Sequence, residues 1–156
     1  YRPEKEVLIL TNHFQSKAMS NRPLTIENKK ETETVYRWKR VKQLLGKIPK
    51  HSVQSFVDIL RNQKGLNDKN IGMGNEMAIN QLIAHHSVVF KPQQRQLWIS
   101  VGPYTLGKYI AYDLNRIFSD SLDFRKDIFI DTPCIAEDSF LHTKEYQNFV
   151  TFKSMT

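Results

Sequence analysis

The chain has 156 residues, with 23 Lys and Arg against 16 Asp and Glu, a formal charge of +7 and 40% hydrophobic residues. That length suits one compact unit, and the composition is that of a globular chain, which excludes disorder throughout. No window approaches the ~20 apolar residues that span a bilayer, and the single cysteine, Cys134, excludes an intrachain disulfide and a cysteine-rich zinc site.

Tyr1, Arg2 and Pro3 open the chain without an initiator Met or a charged-then-apolar targeting segment, so it reads as part of a longer polypeptide. Residues 6–10, rich in Val, Ile and Leu, predict a buried strand running into the polar turn of Thr11, Asn12 and His13. Residues 15–30, polar and interrupted by Pro23, predict a long loop. A helix follows, capped by Thr32 or Thr34, with Val35, Trp38, Val41 and Leu45 at helical spacing and a stop at Gly46 and Pro49. Ser52 caps a second helix carrying an apolar stripe of Val53, Phe56, Val57 and Leu60, and Gly65 lies beyond its end. The glycine- and asparagine-rich residues 65–76 read as a plain loop, since their Gly-x-Gly pair opens no helix. Residues 81–90, 96–101 and 108–114 then predict three strands, and their short connections make them an antiparallel meander. Residues 115–143 are acidic, aromatic and irregular, and a short terminal helix follows from Thr143. The order of elements gives an α+β fold.

The charge is concentrated. Residues 1–50 hold 12 basic and 5 acidic side chains, and between Arg37 and Lys50 six basic residues meet no acid. Such a run is either a solvated helix face or a surface for an anionic ligand or partner. A nucleic-acid interface is not expected, because the chain has no RNP-like strand, no zinc-finger spacing and no sustained basic repeat.

Few residues offer chemistry on their own. His85 and His86 are consecutive in a predicted strand and would point to opposite faces, which argues against a shared metal ion. His13, His51 and His142 are isolated, each reading as a satisfied or exposed histidine. Cys134 has no neighbouring base or positive cluster to generate a thiolate, and no Gly-x-Ser-x-Gly elbow occurs.

An ordered set of phrases is more specific. Leu10-Thr11-Asn12-His13-Phe14, the helix Tyr36-Arg37-Trp38-Lys39-Arg40-Val41-Lys42-Gln43-Leu44-Leu45, then His86-Ser87-Val88-Val89-Phe90 and Leu97-Trp98-Ile99-Ser100-Val101-Gly102-Pro103 follow one another in the chain. Together they resemble the C-terminal half of penicillin-acyltransferase-like cysteine hydrolases, N-terminal-nucleophile (Ntn) enzymes related to cholylglycine hydrolases. The likeness covers residues 6–114, and residues 136–141 fit it more loosely. It implies that residues 1–114 are the C-terminal half of an Ntn-hydrolase-like catalytic domain and residues 115–156 a tail. It also implies an αββα sandwich of two antiparallel sheets between helical layers.

The activity so implied is attack on an amide or thioester carbonyl by a cysteine whose α-amino group is free, often exposed by self-cleavage, with water or an amine resolving the acyl-enzyme. Residue 1 here is Tyr, so the nucleophile would lie in a portion of the polypeptide outside this chain, which becomes the expected partner. On this resemblance Asn12 is the oxyanion donor, Arg37 the arginine beside the nucleophile, and Arg40, one turn on, its rival and a substrate-binding candidate. A small acyl or amide substrate, no cofactor, no metal and an exported or periplasmic location are implied as well. The alternative is a non-enzymatic α+β module that binds an anionic ligand or partner through its basic helix.

Overall fold

The structure, a computed structural model, describes residues 7–119, 123 and 130–155. Among the described residues, five α-helices and a four-stranded antiparallel sheet make it α+β, distributed over two compact units, Tyr1–Gln81 and Leu82–Thr156.

The first unit is helical. α1 spans Pro23–Glu31, and this corrects the loop expected over residues 15–30. Pro23 at the helix start has a preset φ and lacks only an N–H that would be unpaired there anyway. The Thr32 hydroxyl donates to the Asn28 carbonyl at 2.8 Å to close the other end. Only Thr25 of α1 is buried, so the helix has no apolar stripe for a sequence pattern to reveal. α2 spans Thr34–Lys47 with Glu33 at its cap position and no side-chain cap bond, so neither threonine caps it. α3 spans Val53–Leu60 and starts as expected at Ser52: the Ser55 N–H donates to Ser52 Oγ at 3.1 Å and the Ser52 N–H to Ser55 Oγ at 2.8 Å. Val57 and Ile59 of α3 are buried. The strand expected over residues 6–10 does not form. Glu6 lies outside the described residues, and residues 7–10 run irregularly, with Val7, Leu8 and Leu10 exposed.

The second unit is built on the sheet. β1 (Val88–Lys91), β2 (Gln96–Ser100), β3 (Tyr109–Asp113) and β4 (Ile130–Ile135) lie in that order, each antiparallel to the next. Val89 pairs with Trp98 and Trp98 with Ala111, so the period-two alternation lines these three on one face. All three are buried, as are Ser100 and Tyr109. The meander is the expected one with two corrections. Residues 81–87 do not extend β1, and at Leu82 the backbone takes a left-handed φ of 55°, outside the strand region. β4, within the tail expected to be irregular, adds a fourth strand at the end of the sheet order. α4 (Leu114–Ile117) follows β3, and α5 (Lys144–Ser154) is the expected terminal helix, capped by Thr143. Leu82, Leu106 and Tyr146 form the core of this unit, packed by Tyr104, Phe140, Leu141 and Phe149.

Candidate functional site

Residues 10–16 line an open cleft of about 340 Å³ in the first unit, and the first turns of α2 hold this irregular segment in place. The Trp38 indole N–H donates to the Ile9 carbonyl at 3.2 Å, and the Gln15 amide donates to the same carbonyl at 2.7 Å. The Thr11 hydroxyl donates to the Thr34 carbonyl at 3.0 Å. Thus Asn12, expected at a rigid strand end, is positioned instead by side chains that tether both flanks of its loop.

Asn12 and Arg37 are brought together. Arg37 Nη2 donates to Asn12 Oδ1 at 3.0 Å, while Nη1 donates to the Glu76 backbone carbonyl at 2.6 Å. A guanidinium has only hydrogens to offer, so the carboxamide oxygen must face it and the N–H₂ must turn away. Among the described residues no acceptor holds Asn12 Nδ2, and the side chain is exposed. Arg37 is half-buried and keeps further N–H groups beyond the two used here.

Arg40 is placed elsewhere. Its side chain is 0% exposed, with Nε donating to Asn62 Oδ1 at 3.1 Å, Nη1 to Gln43 Oε1 at 2.6 Å and Nη2 to Asp68 Oδ1 at 2.7 Å. Nε and Nη2 thus hold Asn62 and Asp68 against α2, while Nη1 meets Gln43 of the same helix, so the side chain expected to bind substrate is engaged inside the unit. Lys47 reaches the other oxygen of Asp68 at 2.6 Å. The hydrogen bonds from Lys47 and Arg40 hold the Asp68 carboxyl at about 2, below its ordinary 3.8. The basic run of α2 is therefore partly neutralised within the fold, leaving Lys39, Lys42 and Lys50 exposed.

His13 is satisfied on one side. Its Nδ1 lies 3.1 Å from Thr11 Oγ1 and 3.0 Å from Thr34 Oγ1, and Thr34 is fully buried. Burial, and then the positive charge of Lys29, lower the imidazole pKa from its ordinary value, so the ring is neutral at neutral pH. Sequence reasoning did not find the Glu76 carbonyl, Thr34 or Lys29 as neighbours of the cleft. They are separated from Asn12 and His13 by loops and a helix that carry no common motif.

Cys134 is half-buried in β4 of the second unit. Among the described residues no group of His, Cys, Asp and Glu side chains is arranged to hold a metal ion, and no helix is long and apolar enough to cross a membrane. No protein-family model, curated protein or solved structure matches the chain.

Proposed function

We propose that the chain is part of a cysteine-dependent amidohydrolase or acyltransferase of the Ntn type, in which Asn12 donates to the oxyanion of an acyl-transfer intermediate and Arg37 orients it. The nucleophilic sulfur is supplied by polypeptide outside these residues, and the α+β elements here form part of an αββα sandwich.

The observation that carries this reading is the Arg37–Asn12 hydrogen bond. An oxyanion donor must be fixed before the reaction and free on its N–H side. Arg37, itself anchored on the Glu76 carbonyl, fixes the carboxamide by its oxygen and leaves the N–H₂ toward the open side. Withdrawal of electron density through the oxygen makes the N–H₂ a stronger donor. The nearby cations, Arg37 and Lys29, favour the negative charge that accumulates on a tetrahedral intermediate and on a thiolate. Leu10 and Phe14, 65% and 59% exposed, give the same cleft apolar walls, which suit an acyl donor with an apolar acyl group.

The test is acyl-enzyme formation in the full polypeptide, followed by mass spectrometry after mixing with an octanoyl thioester of N-acetylcysteamine. Asn12→Ala removes the donor and is expected to slow adduct formation by about 10²- to 10³-fold. An unchanged rate would remove Asn12 from the reaction and with it the basis of this reading.

A further inference from the structure

We propose that the open edge of β1 is a docking surface for one more β-strand, supplied by the part of the polypeptide that lies outside these residues; it rests on the reading above only in taking such a part to complete the fold. β1 stands first in the strand order and, among the described residues, pairs with β2 alone. One hydrogen bond identifies which of its backbone groups are spare. The Ser100 N–H donates to the Ser87 carbonyl at 3.0 Å, and the register that pairs Val88 with Ile99 sets Ser87 opposite Ser100. In an antiparallel ladder bonded and non-bonded pairs alternate, so Val89 and Lys91 also turn their backbone groups to β2. Val88 and Phe90 turn theirs the other way. Each presents an N–H and a C=O to the edge at the spacing of a strand.

The side chains fit the same use. Val88 and Phe90 share one face of the sheet and are each 50% exposed, beside the half-buried Ile99 and Leu97 with which they pair. An edge strand left to water is ordinarily guarded by a charge, a proline or a bulge. β1 has no proline and pairs with β2 in continuous register, and the ammonium of its one charged residue, Lys91, lies over the Trp98 ring, 6.0 Å from its centroid. The guard thus leans back over the sheet and leaves the edge open.

Charge decides between occupants. Residues 77–112 contain no Asp or Glu, whereas His85, His86, Lys91 and Arg95 flank the edge, all exposed. A second copy paired edge to edge would bring the same basic groups together and offer Lys91 no carboxylate. The strand that fits alternates apolar side chains, extending the row of Val88 and Phe90, and carries an Asp or Glu within reach of Lys91. Two N–H and two C=O groups are a small interface for a separate protein. A strand of the same polypeptide has its effective concentration supplied by the covalent link.

The test is hydrogen exchange of single amides in the full polypeptide. The Val88 and Phe90 amides, which β2 leaves free, are expected to exchange about 10²-fold more slowly than in an unstructured chain. Exchange at the unstructured rate would overturn the proposal, and protection that disappears on dilution would overturn it in favour of a second copy. Phe90→Pro removes an N–H that β2 does not use, so the hairpin persists with the Val89 amide protected, while exchange at the Val88 amide is expected to rise about tenfold or more. Lys91→Glu replaces the cation of the edge by an anion and is expected to speed exchange at Val88 and Phe90 in the same way. An unchanged Val88 rate in both variants would show that its protection arises elsewhere and would sink the inference. The octanoyl thioester separates this from the acyl-transfer reading: protected amides without a wild-type adduct would end that reading and leave the interface standing, and an adduct with both amides unprotected would do the reverse.

Discussion

Asn12 is held through its oxygen, and that makes charge and donor separable by substitution. Asn12→Asp keeps an acceptor for Arg37 Nη2 at the 3.0 Å contact, so the loop should stay docked, but it has no N–H₂ and brings a negative charge to the oxyanion position. We expect acyl-enzyme formation to fall by at least the ~10²- to 10³-fold typical of a lost donor, with an unchanged melting temperature. A rate near wild type would show that the exposed amide has no catalytic part. Arg40 gives the opposite pattern. It is fully buried with three acceptors, so Arg40→Met keeps a long apolar stem but abandons Asn62, Gln43 and Asp68. The expected cost is on the order of 3 kcal/mol in a urea titration, with little change in the rate constant of the folded fraction. Two arginines three positions apart on α2 thus do different work, one at the rim of the cleft and the other inside the unit.

At the scale of elements, α3 is only eight residues long and depends on its start. Ser52→Ala removes the oxygen that accepts from the Ser55 N–H, and a loss of about 1 kcal/mol is expected in equilibrium unfolding. The turn at Leu66–Asp68 is held to α2 by side chains instead. Gln43 accepts from the Asn67 N–H at 3.0 Å and donates to Asn67 Oδ1 at 2.6 Å, and Asp68 takes Arg40 and Lys47. The Asp68 carboxyl titrates at about 2 in the folded chain against an ordinary 3.8, so the unfolded chain binds the proton more tightly. Its contribution is therefore complete above 3.8 and is lost as pH falls through 2. Urea midpoints across this range should drop in the wild type and drop less in Asp68→Asn. Parallel curves would mean that the ion pairs contribute nothing to the turn.

For the whole molecule, the reading assigns the reacting sulfur to another part of the polypeptide, so Cys134→Ser in the full protein should retain acyl-enzyme formation at the wild-type rate. Loss of the adduct in that variant would relocate the nucleophile to β4. Local order was legible in the sequence wherever one signal was strong enough by itself. The stripe and stop of α2, the serine cap of α3, the β1–β3 meander and the terminal helix α5 were all read from periodicity and punctuation. Elements without such a signal were missed: α1 buries only Thr25 and so has no stripe, and β4 pairs with β3 across 16 intervening residues in a segment that carries a proline. Asn12 and Arg37 were singled out from their phrases, but their hydrogen bond, the Glu76 anchor and the threonine clamp on His13 join positions 21 to 39 residues apart. Residue spacing determines which face of a helix or strand a side chain occupies, because that depends on the local backbone alone. Only the tertiary structure decided which arginine meets the asparagine and which is buried, because hydrogen bonds between distant segments depend on how the chain packs.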